Sequence, residues 1–202
     1  MPSPKPAAIA YYTTITIAVP TYLGFLLSQL GAYPTLRTIT AEVDTLVDVF
    51  LLPGVNPNAK LMVNCTGLAS LDLVPDKDVY PATGQTVLVA GEAEKVIFVE
   101  NEDPMKTAYV IPRIGEGSTV LGGTKNANDW DPKIDEDISK GILETCRDYV
   151  PELCTGPNGE LEVISYQKGR RPVRKGGPRI CMEEMVQGSK FIVHSYGHAG
   201  AG

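Results

Sequence analysis

The sequence predicts a mixed fold, α/β (α+β), in which an antiparallel sheet is combined with strands that end in glycine turns. The region 79–123 is rich in β-branched residues interrupted by glycines, which is typical of antiparallel strands. A helix with one apolar stripe is predicted over 131–149. Two short apolar strands, at 61–64 and 191–194, each run into a glycine turn, where a ligand can approach the backbone closely.

The composition is that of an ordinary globular protein. The 202 residues suffice for one or two domains, with 43% apolar and 21% charged residues. The four cysteines show no CxxC pair and no zinc spacing, which favours free thiols in a reducing compartment. The formal net charge of -6 disfavours a nucleic-acid partner.

The N-terminal region combines a proline-rich start with a long uncharged run. Residues 1–11 are predicted to be disordered. No charge occurs over 6–36, a pattern that fits a membrane segment or a signal peptide, but threonines and Pro20 interrupt it. The alternating β-branched residues of 12–19 instead predict a strand, and a helix is expected from Thr21 onward.

The rest of the chain predicts strands around one clear helix. Further strands are expected at 85–90, 95–99, 108–112, 118–122 and 162–166. The region 36–52 fits either short strands or a helix. In the helix 131–149, Asp131 is the expected N-cap and Pro132 the first helical residue. Its apolar stripe comprises Ile134, Ile138, Ile142 and Cys146, and its early acids suit the helix dipole rather than catalysis.

The segment 168–179 holds six cations and no acid within an acidic chain. Arg171 can grip a carboxylate through two parallel hydrogen bonds, and Pro172 stiffens the backbone that carries it. From these residues alone, an anion site, a solvated basic loop and a nucleic-acid patch all remain open. The scarcity of aromatic residues in the segment disfavours nucleic acid.

The only two histidines, His194 and His198, lie at the C-terminal glycine-rich turn. They lack a third ligand at suitable spacing, so no metal site is predicted. A strand entering such a turn suits a flat or phosphorylated ligand.

Six motifs, in order along the chain, resemble the D-amino-acid oxidase family, which shares its framework with D-aspartate oxidases. They are VNCTG at 63–67, GQTVLV at 84–89, YVIP at 109–112, GGT at 122–124 with DW at 129–130, GRRPVR at 169–174 and HSYGH at 194–198. The match runs from about residue 12 to the C-terminus, and fungal members look most similar. It implies a partial FAD-binding domain of the glutathione-reductase type interleaved with an antiparallel-sheet substrate domain.

The resemblance implies four regions and a reaction. The regions are a disordered N-terminus (1–11), a partial FAD-domain and interface segment (12–75), the substrate domain (76–168) and a truncated return to the FAD domain (169–202). The reaction moves a hydride from the α-carbon of a D-amino acid to FAD, and oxygen then reoxidises the flavin and gives hydrogen peroxide. The imine hydrolyses to a 2-oxo acid and ammonia.

The motif positions also imply site residues. Arg171 would clamp the substrate α-carboxylate, the Tyr109 hydroxyl would bond the same carboxylate, and the Gly200 carbonyl would receive the amine. Residues implied along FAD are Asn64, Thr66, Gly67, Gly197, His198, Ala199, Gly200 and Gly202. The alternative for Tyr109 is a sheet residue with its ring in the core.

The chain departs from the family pattern in several places. No GxGxxG turn precedes residue 12, and no helix follows the C-terminal turn. We therefore expect activity only in a full-length form, or else an inactive fragment or paralogue that binds no FAD. Thr83 replaces a family arginine, Ala199 a frequent glycine, and Lys125 a second active-site tyrosine of yeast enzymes.

Substrate and location are expectations of the same resemblance. A cation at Lys125, substrate-binding in this interpretation, favours an acidic D-amino acid such as D-aspartate, whereas the alternative is a solvated loop lysine. The expected partners are the D-amino acid and oxygen, with a homodimer in the full-length form and no membrane. The expected location is the peroxisome, or alternatively the cytoplasm, although this chain carries no peroxisomal tripeptide.

Overall fold

The computed structural model describes residue 10 and residues 13–100, 107–186 and 189–200. These residues divide into two compact units, which are described separately. The first unit comprises residues up to 34, 83–126 and 131–169, and the second comprises 35–82, 127–130 and the chain from 170 onward. Two segments of the second unit thus begin at residues 35 and 170. The corresponding FAD-domain regions predicted from the sequence begin at residues 12 and 169.

The helices and strands of the described residues are labelled in chain order. The α-helices are α1 (Val19–Leu30), α2 (Ser70–Leu73) and α3 (Glu136–Arg147), and the 3-10 helices are Leu46–Leu51, Gly67–Ala69, Pro151–Leu153 and Pro157–Gly159. The strands are β1 (Leu61–Asn64), β2 (Val79–Ala90), β3 (Ile97–Val99), β4 (Ala108–Arg113), β5 (Ser118–Gly122), β6 (Asn126–Ala127), β7 (Val163–Arg174), β8 (Arg179–Val186) and β9 (Lys190–Tyr196).

The larger sheet has the order β3-β4-β5-β2-β6, and β7 pairs with β2. The pairs β2–β5, β3–β4 and β4–β5 are antiparallel, which confirms the antiparallel sheet predicted over 79–123. The turn between β4 and β5 contains Gly115 and Gly117. Their backbone N–H groups both donate to Oε1 of Glu92, at 2.9 and 2.8 Å, so one carboxylate orders the turn.

The core of the first unit lies between this sheet and α3. Inward residues of β2, β4 and β5, including Val87, Val110 and Leu121, are fully buried with Cys146 of α3. Each such aliphatic side chain contributes about 1.5–3 kcal/mol by leaving water. Burial raises the pKa of the Cys146 thiol to about 12, although a hydrogen bond with the Gly122 backbone opposes the shift.

Helix α3 is shorter than the predicted helix over 131–149. The N-cap is Asp135, whose side chain accepts hydrogen bonds from the backbone N–H groups of Asp137 and Ile138 at 2.9 and 3.1 Å. The predicted cap, Asp131, accepts from Lys133 in a local turn instead. Ile134 therefore lies outside the helix and is 43% exposed, whereas the remaining stripe of the prediction faces the core.

The strand predicted over 12–19 is wrong for the residues that the structure describes. Residues 13–18 have no regular structure, and Ile15 and Ile17 are largely exposed. Alternating β-branched residues form a strand only where a neighbouring strand accepts their hydrogen bonds, and none pairs with them here. Helix α1 begins at Val19, with Pro20 in its first turn. Within the described ranges, no helix has both the length and the hydropathy needed to cross a membrane.

The second unit contains a smaller sheet of order β1-β9-β8. Strand β9 runs parallel to β1, with Asn64 opposite His194, and antiparallel to β8, with Cys181 opposite His194. The sequence pattern predicted β1 and β9 but not β8. Nor did it predict that the strand expected at 162–166 continues through the basic segment to Arg174.

Candidate active site

The candidate site lies at one edge of the smaller sheet. Because β1 and β9 are parallel and in register, their carboxyl ends meet at the same edge. The turn 65–67 leaves β1 there, and the turn 197–200 leaves β9. The carboxyl ends of parallel strands are where α/β sheets bind ligands, because loops diverge there and leave the backbone accessible.

The turn after β1 is held by the buried side chain of Asn64. Its Oδ1 accepts from the backbone N–H of Thr66 at 3.0 Å and from the Thr66 hydroxyl at 2.8 Å. The hydroxyls of Thr66 and Ser70 lie 2.9 Å apart, so the start of α2 is joined to the same turn. Gly67 follows with a φ of 60°, a left-handed conformation that favours glycine. The turn is thereby ordered while Thr66 stays exposed.

The turn after β9 lies against the end of β7. Gly197 has a φ of 84°, and a Cβ there would stand 2.6 Å from Cβ of Arg174. The backbone N–H of Ala199 donates to the Pro172 carbonyl at 2.9 Å, and Val173 forms a β-bridge with His198. Ala199 itself has a φ of 57°, which costs a residue with a Cβ about 1 kcal/mol relative to the glycine frequent in the family.

Arg171 lies at this edge because the end of β7 packs against the turn after β9. A Cβ placed on Gly200 would stand 3.7 Å from Cδ and 3.8 Å from Nε of Arg171. A Cβ placed on Gly67 would stand 3.5 Å from the Pro172 ring. The structure therefore gathers Arg171 and the two turns, which hold most of the residues predicted along FAD. Gly202 lies outside the described residues.

The adjacent arginine, Arg170, is directed elsewhere. Its guanidinium lies 5.8 Å from the ring centroid of Trp130, within cation–π range, and it is exposed. Successive residues of a strand face opposite sides, so only one of the two arginines can face Gly200. Arg171, half-buried, is that one.

A buried ionic network supports the edge, and the sequence pattern did not reveal it. Asp76 accepts from Arg174 Nε at 2.9 Å and from the Tyr196 hydroxyl at 2.8 Å. Burial raises the pKa of Asp76, but these hydrogen bonds outweigh it and leave the pKa below the usual value. Arg179 donates to the Tyr196 hydroxyl at 3.0 Å and forms an ion pair with Glu183. The residues of this network come from distant segments of the chain, so no spacing in the sequence predicts the network.

His194 lies at the centre of the edge and is 1% exposed. Its Nδ1 is 3.2 Å from the Asn64 amide nitrogen, and its Nε2 is 3.4 Å from Oε2 of Glu183. Burial and the nearby Arg179 lower its pKa, and Glu183 only partly opposes them. The second histidine, His198, has its Nε2 3.3 Å from the Ser195 hydroxyl.

Tyr109 and Lys125 belong to the first unit. Tyr109 lies opposite Gly122 in the β4–β5 register, and a Cβ on Gly122 or Gly123 would collide with its phenol. The ring thus covers a glycine backbone and is half-buried, not enclosed in the core. Lys125 is exposed, two residues beyond Gly123.

The sequence pattern also did not reveal the role of Gln85. It is 1% exposed, and its side-chain amide donates to the Asp135 carbonyl at 2.6 Å and to the Ser139 hydroxyl at 2.7 Å. Its Oε1 accepts from the Asp135 backbone N–H at 2.9 Å. Gln85 also donates its own N–H to Thr124 at 3.0 Å. It therefore joins the start of α3 to the glycine segment beneath Tyr109.

A family model described as FAD dependent oxidoreductase matches residues 36–202. The match includes the smaller sheet, both turns and the β7 arginines. The chain belongs to this FAD dependent oxidoreductase family.

Relatives agree with that assignment. The chain is 33% identical over 198 residues to a D-amino-acid oxidase of Fusarium vanettenii, covering 95% of this chain and 54% of the relative. It is 32% identical over 199 residues to a D-amino-acid oxidase of Schizosaccharomyces pombe, covering 94% and 54%. The chain therefore spans about half the length of these relatives. The fold resembles glycine oxidase from Bacillus cereus ATCC 14579, with a TM-score of 0.54, 24% identity, and coverage of 68% and 36%.

The residues at the β1–β9 edge fit the family's cofactor, FAD. The positive φ of Gly67 and Gly197 lets both turns fold back against the end of β7, and Gly200 presents an exposed backbone with no Cβ. Thr66 adds an exposed hydroxyl, and Ala199 and Gly200 add no bulk. A flat ring or a phosphate needs such close backbone approach.

Proposed function

We propose that this protein oxidises D-amino acids with FAD, yielding 2-oxo acids, ammonia and hydrogen peroxide. The observation that carries the proposal is the position of Arg171 beside Gly200, at the sheet edge that fits FAD. Bound FAD supplies the chemistry, by accepting a hydride from the substrate and passing electrons to oxygen. The residues of this chain bind and orient the amino acid.

The proposed roles follow from the shape of an amino acid. Its carboxylate and amino group are attached to one carbon, so the groups that bind them must be neighbours. The Arg171 guanidinium binds the carboxylate through charge-assisted hydrogen bonds, and the Gly200 carbonyl accepts from the amine. The family resemblance assigns the Tyr109 hydroxyl to the same carboxylate. These contacts orient the α-carbon without a side-chain base.

Because the chain spans about half of its relatives, we propose that activity resides in the longest polypeptide that the gene encodes. One observation favours the alternative for the 202-residue chain, that it binds no FAD and is inactive. Leu61 and Val63 of β1 and Ile180 and Met182 of β8 are 55%, 57%, 69% and 66% exposed. An exposed apolar sheet face of this kind is typical of a surface that another segment covers.

A flavin titration separates the two proposals. Both the 202-residue chain and the longest polypeptide are titrated with FAD, and bound flavin is followed by absorbance and fluorescence. We expect the longest polypeptide to bind FAD and produce peroxide with D-amino acids, and the 202-residue chain to remain colourless. If neither form binds FAD, the oxidase proposal fails. If the 202-residue chain by itself binds FAD and produces peroxide with D-amino acids, the need for a longer form is refuted.

We further propose a preference for acidic D-amino acids. Lys125 supports it, being an exposed cation two residues beyond the glycine that Tyr109 covers. Opposite charge in a pocket favours D-aspartate and D-glutamate over neutral substrates. The test compares kcat/KM for D-aspartate and D-alanine in the longest polypeptide and in Lys125→Met, with exposed Lys133→Met as control. A native preference for D-alanine would refute the idea.

Assembly and location of the whole protein are proposals from family resemblance. We propose a homodimer and a peroxisomal location. Sedimentation of the longest polypeptide and microscopy of a tagged copy with its own C-terminus free would test them. A monomer, or a diffuse cytoplasmic signal, would contradict the respective proposal.

A further inference from the structure

The orientation of the Asn64 amide and of the His194 imidazole can be deduced from one backbone N–H. The backbone N–H of Thr66 can only donate, and it lies 3.0 Å from Oδ1 of Asn64. Oδ1 is therefore the side-chain oxygen that faces Thr66. The amide nitrogen of Asn64 then faces His194, at 3.2 Å from Nδ1.

The same reasoning extends to the imidazole. An amide nitrogen can only donate, so Nδ1 of His194 must be unprotonated. The proton of the neutral ring is then on Nε2, which lies 3.4 Å from a carboxylate oxygen of Glu183. Burial and Arg179 lower the pKa of His194, which keeps the ring neutral at pH 7. Each donor in the series meets an acceptor.

We propose that Glu183 is a positioning residue that acts through His194 to fix the Asn64 side chain, and thereby the turn 65–67. Glu183 accepts from Nε2 and so selects the tautomer whose Nδ1 can accept from Asn64. Without that acceptor, the Nδ1-protonated tautomer becomes accessible and favours a rotated Asn64 amide. The rotated amide presents NH₂ to the Thr66 N–H, and the turn loses its hydrogen bonds.

Glu183 and the turn are far apart in sequence, on opposite outer strands of the smaller sheet. Cys181 and His194 are paired across β8 and β9, and Glu183 is two residues from Cys181, on the same face. The hydrogen bonds from Glu183 through His194 to Asn64, called the relay from here on, therefore cross the sheet from β8 through β9 to β1. Its consequence for FAD rests on the proposed function, whereas the tautomer and the turn can be measured without any flavin.

The relay is tested by nitrogen NMR of the imidazoles and by amide hydrogen exchange in the 202-residue chain. With only two histidines in the chain, His198→Gln assigns the His194 signals. We expect a proton on Nε2 alone in the native chain. In Glu183→Leu, we expect mixed tautomers and exchange of the Thr66 N–H roughly tenfold faster, as when one hydrogen bond is lost.

Two matched variants separate the relay from simpler roles. Glu183→Gln keeps an acceptor oxygen but removes the charge that pairs with Arg179, and we expect native tautomer and exchange. Glu184→Leu changes the next residue, on the other face of β8, and we expect no effect. The Phe191 N–H, which donates to the Lys60 carbonyl at 2.7 Å, reports any general loosening.

Three results would overturn the relay. The first is an Nδ1 proton in the native chain. The second is a Glu183→Gln variant that behaves like Glu183→Leu, which would assign Glu183 to the Arg179 ion pair alone. The third is equal acceleration at Thr66 and Phe191. If the relay holds and FAD still fails to bind to the longest polypeptide, the proposed function fails and the positioning role stands.

Discussion

Arg171 and Gly200 lie side by side although β8 and β9 separate them in the sequence. The arginine side chain passes within 3.7–3.8 Å of the place where a Gly200 side chain would begin. Beside them, the β-bridge between Val173 and His198 holds the end of β7 against the turn. A cationic fork and the Gly200 backbone therefore share one small region, as an α-amino acid requires.

Replacing Arg171 by lysine should weaken substrate binding and leave flavin binding intact. Lysine keeps the charge but loses the bidentate geometry, so we expect KM for D-amino acids to rise about 10- to 100-fold. Steady-state kinetics and FAD titration of the longest polypeptide measure both. Arg170→Lys is the matched control, with an expected change below about threefold. An unchanged KM in Arg171→Lys would exclude the carboxylate role.

The Asp76 network should make stability depend on pH in two stages. The pKa of His194 is lowered in the folded state, so its contribution is complete above the unfolded value of about 6.5 and is lost as pH falls through the folded value. The pKa values of Asp76 and Glu183 are also lowered, so their contributions disappear at more acidic pH, below about 4. Urea unfolding between pH 8 and 3 should show both losses.

Substitution of Asp76 tests the acidic stage directly. Asp76→Ala leaves Arg174 and the Tyr196 hydroxyl without their buried partner, so we expect the free energy of unfolding at pH 7 to fall by about 3 kcal/mol. The exposed acid Asp72 provides the control, and Asp72→Ala should cost less than about 0.5 kcal/mol. Equal effects would contradict the network.

Gln85 should be more important for stability than its sequence context indicates. Gln85→Ala leaves the Asp135 backbone groups and the Ser139 hydroxyl without their partner, so we expect a loss of about 2–3 kcal/mol. Exposed Gln167→Ala should change stability by less than about 0.5 kcal/mol. Chemical unfolding of the 202-residue chain measures the free energy of unfolding of both variants. Similar losses would contradict the role of Gln85 in joining the start of α3 to the glycine segment.

Bound FAD should shield Cys65 from thiol reagents. Cys65 is exposed in the turn after β1, whereas Cys146 is buried with its pKa raised to about 12 by burial, and should not react in the folded state. In the longest polypeptide, we expect FAD to slow maleimide labelling of Cys65 at least about fivefold, because ligands are largely enclosed by their sites. Labelling of half-buried Cys154 should not change, and Cys65→Ser assigns the reactive thiol.

The sequence predicted the elements whose residues alternate or repeat locally. The β4–β5 hairpin, β1, β9 and the glycine turns all have such patterns. Strand β8 was missed because Arg179, Glu183 and Glu184 interrupt its apolar residues, and Arg179 and Glu183 have further partners in Tyr196 and His194 of β9. The strand over 12–19 failed for the opposite reason, since residues 13–18 alternate locally but pair with no strand among the described residues.

The candidate site was predictable only in part, for the same reason. Arg171 stood out by local charge, and the two turns by their glycines. Asp76, Gln85 and Glu183 did not, because single polar residues carry no spacing signal. Their roles arise from hydrogen bonds that the folded chain brings together, such as the 2.8 Å bond between Tyr196 and Asp76.

The central proposal is tested most directly by mixing the FAD-loaded longest polypeptide with D- and L-amino acids without oxygen, while the flavin absorbance is recorded. We predict that the D-enantiomers bleach the flavin, that the L-enantiomers do not, and that admission of oxygen restores the colour with release of peroxide. Bound flavin that no D-amino acid reduces, or that both enantiomers reduce equally, would contradict the proposal.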